Sequence, residues 1–216
     1  MGDQFHWFEK NCVPARVVQE AEKKGLSVQK LLTQKASLLK PGQSGLIALD
    51  WWNGNRSILA DADLTGMIVG MTLQTMPEEI YRALIESTAY GARVILENYR
   101  QSGVPVDRFY ASGGVTQKNE MAMQIYADVL GMPVHVADAA QGPALGSAIF
   151  GAVAAGAYQS VGEAARSMGA GVGRVYTPVA ENAEVYEELY REYKKLHDYF
   201  GCGANDVMKR LKKRKG

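Results

Sequence analysis

Between an apolar run and a helix-like segment, the stretch "RFYASGGVTQKNEMAMQIYADVLGMPV", Arg108 to Val134, places two adjacent glycines. Gly113 and Gly114 can serve geometry alone, because glycine accepts positive φ without a Cβ clash. They can also leave the backbone bare, so that amides face a phosphate or a nucleoside lies flat against the turn. Gln117, Lys118 and Asn119 follow with an amide, a cation and a second amide. Asn or Gln can pair with the N6 and N7 edge of adenine. On the residues alone both readings stand.

Other constellations carry less. "GAGVGR", Gly169 to Arg174, alternates three glycines, but a dinucleotide fingerprint follows a strand and opens a helix, and this one follows the helix-like "EAARSM"; it is read as a loop. The sequence contains neither G-x-x-x-x-G-K-[ST] nor a G-x-S-x-G elbow. His6, His135 and His197 lie far apart and never join a cysteine at metal-ligand spacing. No side-chain metal site and no catalytic acid or base pair is therefore assigned.

The elements that must hold the double glycine can be read on either side of it. "RFYAS" and "PVHVA" read as strands, and the helix between them closes at Gly131 and Pro133, giving a β-α-β unit with parallel strands. Gly142 and Pro143 open a further helix. Upstream, Pro77 begins a long helix through "EEIYRALIESTAYGARVILENYRQS", after a short strand bracketed by Gly66 and Gly70. "GLIALDWW" and "RSILA" read as strands joined at Asn53-Gly54-Asn55, with Trp51 and Trp52 packed beside the turn. Three short helices before residue 41 form a peripheral layer, the third capped by Ser27. From Ala183 a long helix carries Tyr186, Leu189, Tyr190, Tyr193, Leu196 and Phe200 on one face, a spacing that predicts core.

The chain has 216 residues, 24 Lys and Arg against 23 Asp and Glu, and two cysteines. A formal charge of +1 gives no global pull toward nucleic acid or membranes. Cys12 and Cys202 make no disulfide framework and no secretory pattern is present, which points to the cytoplasm. Lys209, Arg210, Lys212, Lys213, Arg214 and Lys215 crowd the end and read as a short solvated basic tail, 209–216, after one compact α/β domain, 1–208.

"ASGGVTQKNEMAMQIYADVLGMPV" resembles the adenosine-binding segment of the FGGY family of carbohydrate kinases. "ADADLTGMIVGMTLQTMPEEIYRALIESTAYG" is similar to that family's second signature, with Gly66, Gly70, Glu79, Ile80, Ala83 and Glu86 in register, and "QGPALGSAIFGAVAAG" resembles the connecting segment that comes next. "ALDWWNGNRS", "GGVTQKN" and "YFGCGANDVMKRLK" look most like the L-ribulokinase branch. The resemblance implies an actin-like (ribonuclease H-like) α/β ATPase domain, incomplete at its N-terminus. It implies ATP with Mg2+ as cofactors and a ketose such as L-ribulose as substrate of the intact enzyme. Gly113 and Gly114 would admit the adenosine and α-phosphate region, Asn119 and Gln117 would contact adenine, and the helix from Gly142 would pack behind them. The D-x-G-T segment, the sugar contacts and the catalytic aspartate of the family have no match in this chain, so the implied partner is an N-terminal sugar-binding domain, and no activity is expected without it. The competing reading is a non-catalytic interaction or homo-oligomerisation module with a phosphate- or nucleic-acid-binding basic tail.

Overall fold

The computed structural model describes residues 2–139 and 141–214. Three helices lead, α1 (Gly2–Cys12), α2 (Ala15–Lys23) and α3 (Val28–Ala36). Ser27 caps α3 by accepting a hydrogen bond from the Lys30 amide at 3.2 Å. The strands β1 (Ile47–Leu49) and β2 (Met67–Val69) pair antiparallel with each other. The helix α4 (Pro77–Gln101) opens on a proline, and Glu79 reaches back to accept from the Met76 amide at 2.7 Å. From Tyr81 to Tyr90 every residue of α4 is buried. A helix buried all round is the centre of a core rather than its edge.

The second sheet holds β3 (Phe109–Ala111), β4 (Val134–Ala137) and β5 (Val172–Tyr176) in that order. β3 and β4 are parallel, with Phe109 beside Val134, and β5 returns antiparallel to β4. Between β3 and β4 run α5 (Gly114–Lys118) and α6 (Glu120–Leu130), so the β-α-β unit read from the sequence is the observed one. Gly131 ends α6 at φ +63°, a left-handed cap that L side chains adopt at a cost. After β4 come α7 (Gly142–Ala154) and α8 (Val161–Met168), then α9 (Ala180–Gly201) and α10 (Val207–Arg214). On α9, Tyr186, Tyr190 and Tyr193 are buried against α4, and Leu189, Leu196 and Phe200 pack on that core. The aromatic face is core, as its spacing predicts.

Two readings are corrected and a third is made more specific. "RSILA" is not a strand: only the isolated bridge Asn55–Asp61 forms there, and β1 takes β2 as partner instead. The Asn-Gly signal is local and does produce a turn, with Gly54 at φ +75°. "GAGVGR" is not wholly loop, because β5 begins at Val172 inside it. The basic end is helical through Arg214, with Lys209 2.5 Å from Asp61 and Lys212 on the Ala62 carbonyl oxygen. Met208 and Leu211 stand three apart on one side of it, Met208 buried and Leu211 exposed. Lys215 lies outside the described residues.

Candidate functional site

The turn from β3 into α5 is built on Gly113, whose φ of +112° excludes ordinary side chains. The geometric requirement and the open approach both hold: a Cβ added at Gly113 or Gly114 would meet nothing within 4 Å. Within the turn the Thr116 hydroxyl donates to the Gly113 carbonyl oxygen at 2.7 Å, which pins the backbone. The first residue of α7 closes on the turn from behind, since a Cβ at Gly142 would stand 3.2 Å from Ser112 Oγ.

From this turn a groove of about 1020 Å³ runs between α3, α4 and the start of α6. Gly114, Lys118 and Asn119 form one wall, with Lys30 and Thr33 of α3 and Tyr81 of α4 across it. Asn119 is buried and caps α6, its Oδ1 accepting from the Ala122 amide at 3.0 Å. Its Nδ2 faces Thr33 Oγ1 at 3.5 Å, and Thr33 lies 3.2 Å from the Tyr81 hydroxyl. Burial pushes the Tyr81 hydroxyl above its ordinary range, so it stays protonated. Gln117 is exposed and does not line the groove. The structure therefore brings Gly114 and Asn119 to one groove, sets Gly113 beside them, and leaves Gln117 outside it.

Phe5, Thr33 and Tyr81 are the wall that sequence reasoning missed. The helices of Phe5 and Thr33 read as a peripheral layer and that of Tyr81 as a long helix with no assigned partner, and the meeting of Thr33 with Asn119 and Tyr81, far along the chain, gives them a place here.

A second polar cluster is structural. Arg82 Nε lies 2.8 Å from Glu86 Oε1, and its Nη2 donates to the Tyr186 hydroxyl at 2.8 Å, which donates to Glu86 Oε1 at 2.9 Å. Arg82 Nη1 also donates to the carbonyl oxygens of Ala36 and Leu39. Burial raises the Glu86 carboxyl above the usual carboxylate range while Arg82 beside it pulls it back down. The cluster ties the end of α3 and the face of α9 to α4, and neither Arg82 nor Glu86 lines the groove.

The groove can receive a flat, partly apolar group bearing an anionic end. Phe5 and Tyr81 supply the apolar face, and Lys30 and Lys118 supply charge at the rim. Among the described residues no group of three or more His, Cys, Asp or Glu is placed to hold a metal.

Residues 1–155 match the C-terminal domain of the FGGY family of carbohydrate kinases. The ribulokinase of Bacillus licheniformis is 56% identical over the whole of this chain, and that of Anoxybacillus flavithermus is 55% identical over 98% of it. The chain spans 40% and 38% of the length of those two relatives. Among solved structures, the xylulose kinase of Rhodospirillum rubrum superposes with a TM-score of 0.72 at 27% identity, over 91% of this chain and 37% of that one.

Proposed function

Because the chain belongs to the FGGY family of carbohydrate kinases, we propose that it is the nucleotide-holding portion of an enzyme that phosphorylates a ketose such as L-ribulose with ATP. The observation that carries this reading is the bare Gly113–Gly114 turn opening onto the groove lined by Gly114 and Asn119. In the intact enzyme, phosphoryl transfer needs a base at the attacking hydroxyl and charge stabilisation at the γ-phosphate. The residues present would hold the adenosine end: Gly113 and Gly114 admit it, Asn119 and Tyr81 flank it, and Lys118 meets charge. Gln117 lies one turn away, where it could reach a base only from outside the groove. ATP supplies the phosphoryl group and Mg2+ accompanies its phosphates.

The rest of that enzyme would complete the sheet. β3 is an end strand of its sheet, and Tyr110 is 54% exposed on one face. Parallel strands are ordinarily covered on both faces. We place the sugar-binding part of the longer polypeptide against this edge, in a cytoplasmic enzyme whose catalytic base comes from that part.

Calorimetric titration with ATP tests the reading. This chain should bind ATP in the millimolar range, since each tenfold of affinity lost with absent phosphate contacts is about 1.4 kcal/mol. Gly114→Val should remove the signal by filling the approach, at a backbone conformation that carries no positive φ. Submicromolar binding, or binding indifferent to Gly114→Val, would contradict the site.

A further inference from the structure

Thr88 and Tyr126 line the groove on one side and a second recess, of about 290 Å³, on the other. Asp50 and Tyr193 line this recess from the core, and Asn55, Ser57 and Ile58 of one loop form its outer wall. That loop is closed on itself. The Asn55 amide donates to the Asp61 carbonyl oxygen at 2.8 Å and the Asp61 amide returns the bond to Asn55 at 2.7 Å, so residues 55–61 form an arc with a single neck. Inside the arc Asn55 Oδ1 accepts from the Ser57 amide, the Ser57 hydroxyl and the Leu59 amide. Little holds the arc to the body of the protein: Arg56, Ser57 and Ile58 are exposed, and Leu59 is its one apolar side chain packed on the core, beside Gly201.

The arc is also strained. Ala60 is, among the described residues, the one non-glycine with a positive φ, at +47°. A Cβ in that region crowds the following carbonyl oxygen, so the arc by itself favours another path. What holds its neck comes from α10. Lys209 stands 2.5 Å from Asp61 Oδ2, while Lys212 donates to the Ala62 carbonyl oxygen and lies 3.8 Å from Asp63 Oδ1. Met208, on the same helix, is buried and roots α10 in the core. The arc lies within the residues that match the family and α10 lies beyond them.

We propose that residues 55–61 are a lid on the recess and that α10 is its latch, with Lys209 and Lys212 holding a strained arc closed. The contacts suit a latch that releases, because ion pairs near the surface are weak one at a time and are screened by salt. Met208 keeps α10 in place when they let go. Local opening requires few buried apolar contacts in the moving part, and the arc has Leu59 alone. Opening admits water to the recess, and so to the Thr88 and Tyr126 that it shares with the groove. None of this depends on the nucleotide reading of the groove.

Hydrogen exchange at the Asn55 and Asp61 amides, which bond across the neck, reads the lid directly. In the full chain carrying Lys209→Gln and Lys212→Gln together, both amides should exchange at least about fivefold faster while those of α4 from Ala83 to Tyr90 keep their rates. Raising NaCl from about 50 mM to about 1 M should produce the same change in the unsubstituted chain and little further change in the variant. Adding Ala60→Gly to the double variant should slow the two amides again, because glycine takes that φ without the clash. Unchanged exchange at the neck, equal acceleration in α4, an undiminished salt response in the variant, or no recovery with Ala60→Gly would overturn the proposal. The salt series on the unsubstituted chain decides the matter even if the double variant fails to fold: neck amides that do not respond, or that respond only together with α4, sink the latch.

Discussion

Asn119 has two jobs open to its amide, and the geometry divides them between its two ends. Oδ1 caps α6 through the Ala122 amide, while Nδ2 points toward the groove and Thr33. Asn119→Ala should therefore cost about 1 kcal/mol of folding stability, as lost caps do, and weaken ATP as well. Asn119→Asp keeps a capping oxygen and loses the donor, so urea unfolding should leave stability within a few tenths of a kcal/mol while the calorimetric ATP signal falls. If both substitutions leave ATP binding unchanged, Asn119 is a cap and nothing more.

Asp50 tests burial at the same scale. Its carboxyl titrates near 6 in the folded chain and near 4 when unfolded. Between those values the folded chain holds a proton that the unfolded chain has released. Stability contributed by this group is therefore present below about pH 4 and is lost as pH rises through about 6. The loss is on the order of 3 kcal/mol. Asp50→Asn should remove that slope: unfolding midpoints of the two proteins should agree near pH 4 and diverge by pH 7, with the variant more stable. Parallel pH profiles would show that the carboxyl is not desolvated.

At the scale of elements, α4 is the hub, and the Arg82–Glu86–Tyr186 cluster is the knot that fixes α3 and α9 to it. Removing one partner strands a buried charge, which typically costs about 3–5 kcal/mol. Glu86→Leu and Arg82→Leu should each lower stability by that order, whereas the double substitution should recover much of it, read by urea denaturation. Additive losses would mean that the two do not act as a unit.

What the sequence revealed of these elements divides along contact distance. The β-α-β unit, the cap at Ser27 and the aromatic face of α9 are local patterns, and local chemistry decides them. Arg82 and Glu86 stand four apart on a visible helix, yet the Tyr186 hydroxyl that closes their cluster lies beyond any window along the chain. The failed hairpin at Asn53-Gly54 shows the reverse case. The turn formed, but β1 pairs with β2, because a turn fixes only the direction of the chain and strand pairing depends on contacts beyond it. The candidate site was legible as Gly113, Gly114 and Asn119, since glycines and amides announce themselves by type. Tyr81 and Thr33 were not, since nothing in their neighbourhoods says that α3 and α4 will face the turn.

At the scale of the whole molecule, the surface leaves several large apolar groups open. Tyr110 of β3, Phe150 of α7 and Leu73 between β2 and α4 stand largely exposed, at 54%, 63% and 108%. Exposed apolar groups beside an unpaired strand invite pairing with another chain. Light scattering should accordingly show concentration-dependent self-association of this chain, reduced by Tyr110→Lys at the open face. The longer polypeptide should cover β3 and raise the hydrogen-exchange protection of its amides above that in this chain. Equal protection in both would place the remainder of the enzyme elsewhere.

The central claim, that this chain holds the nucleotide for a kinase whose base and sugar pocket lie in another part of the polypeptide, meets its most direct test in coupled ADP release with L-ribulose, run on this chain and on the polypeptide extended to the full length of its relatives. The extended protein should turn over, Gly114→Val in it should abolish turnover, and this chain alone should give no ADP above background. Robust turnover by this chain alone, surviving purification and lost on substitution within it, would contradict the account.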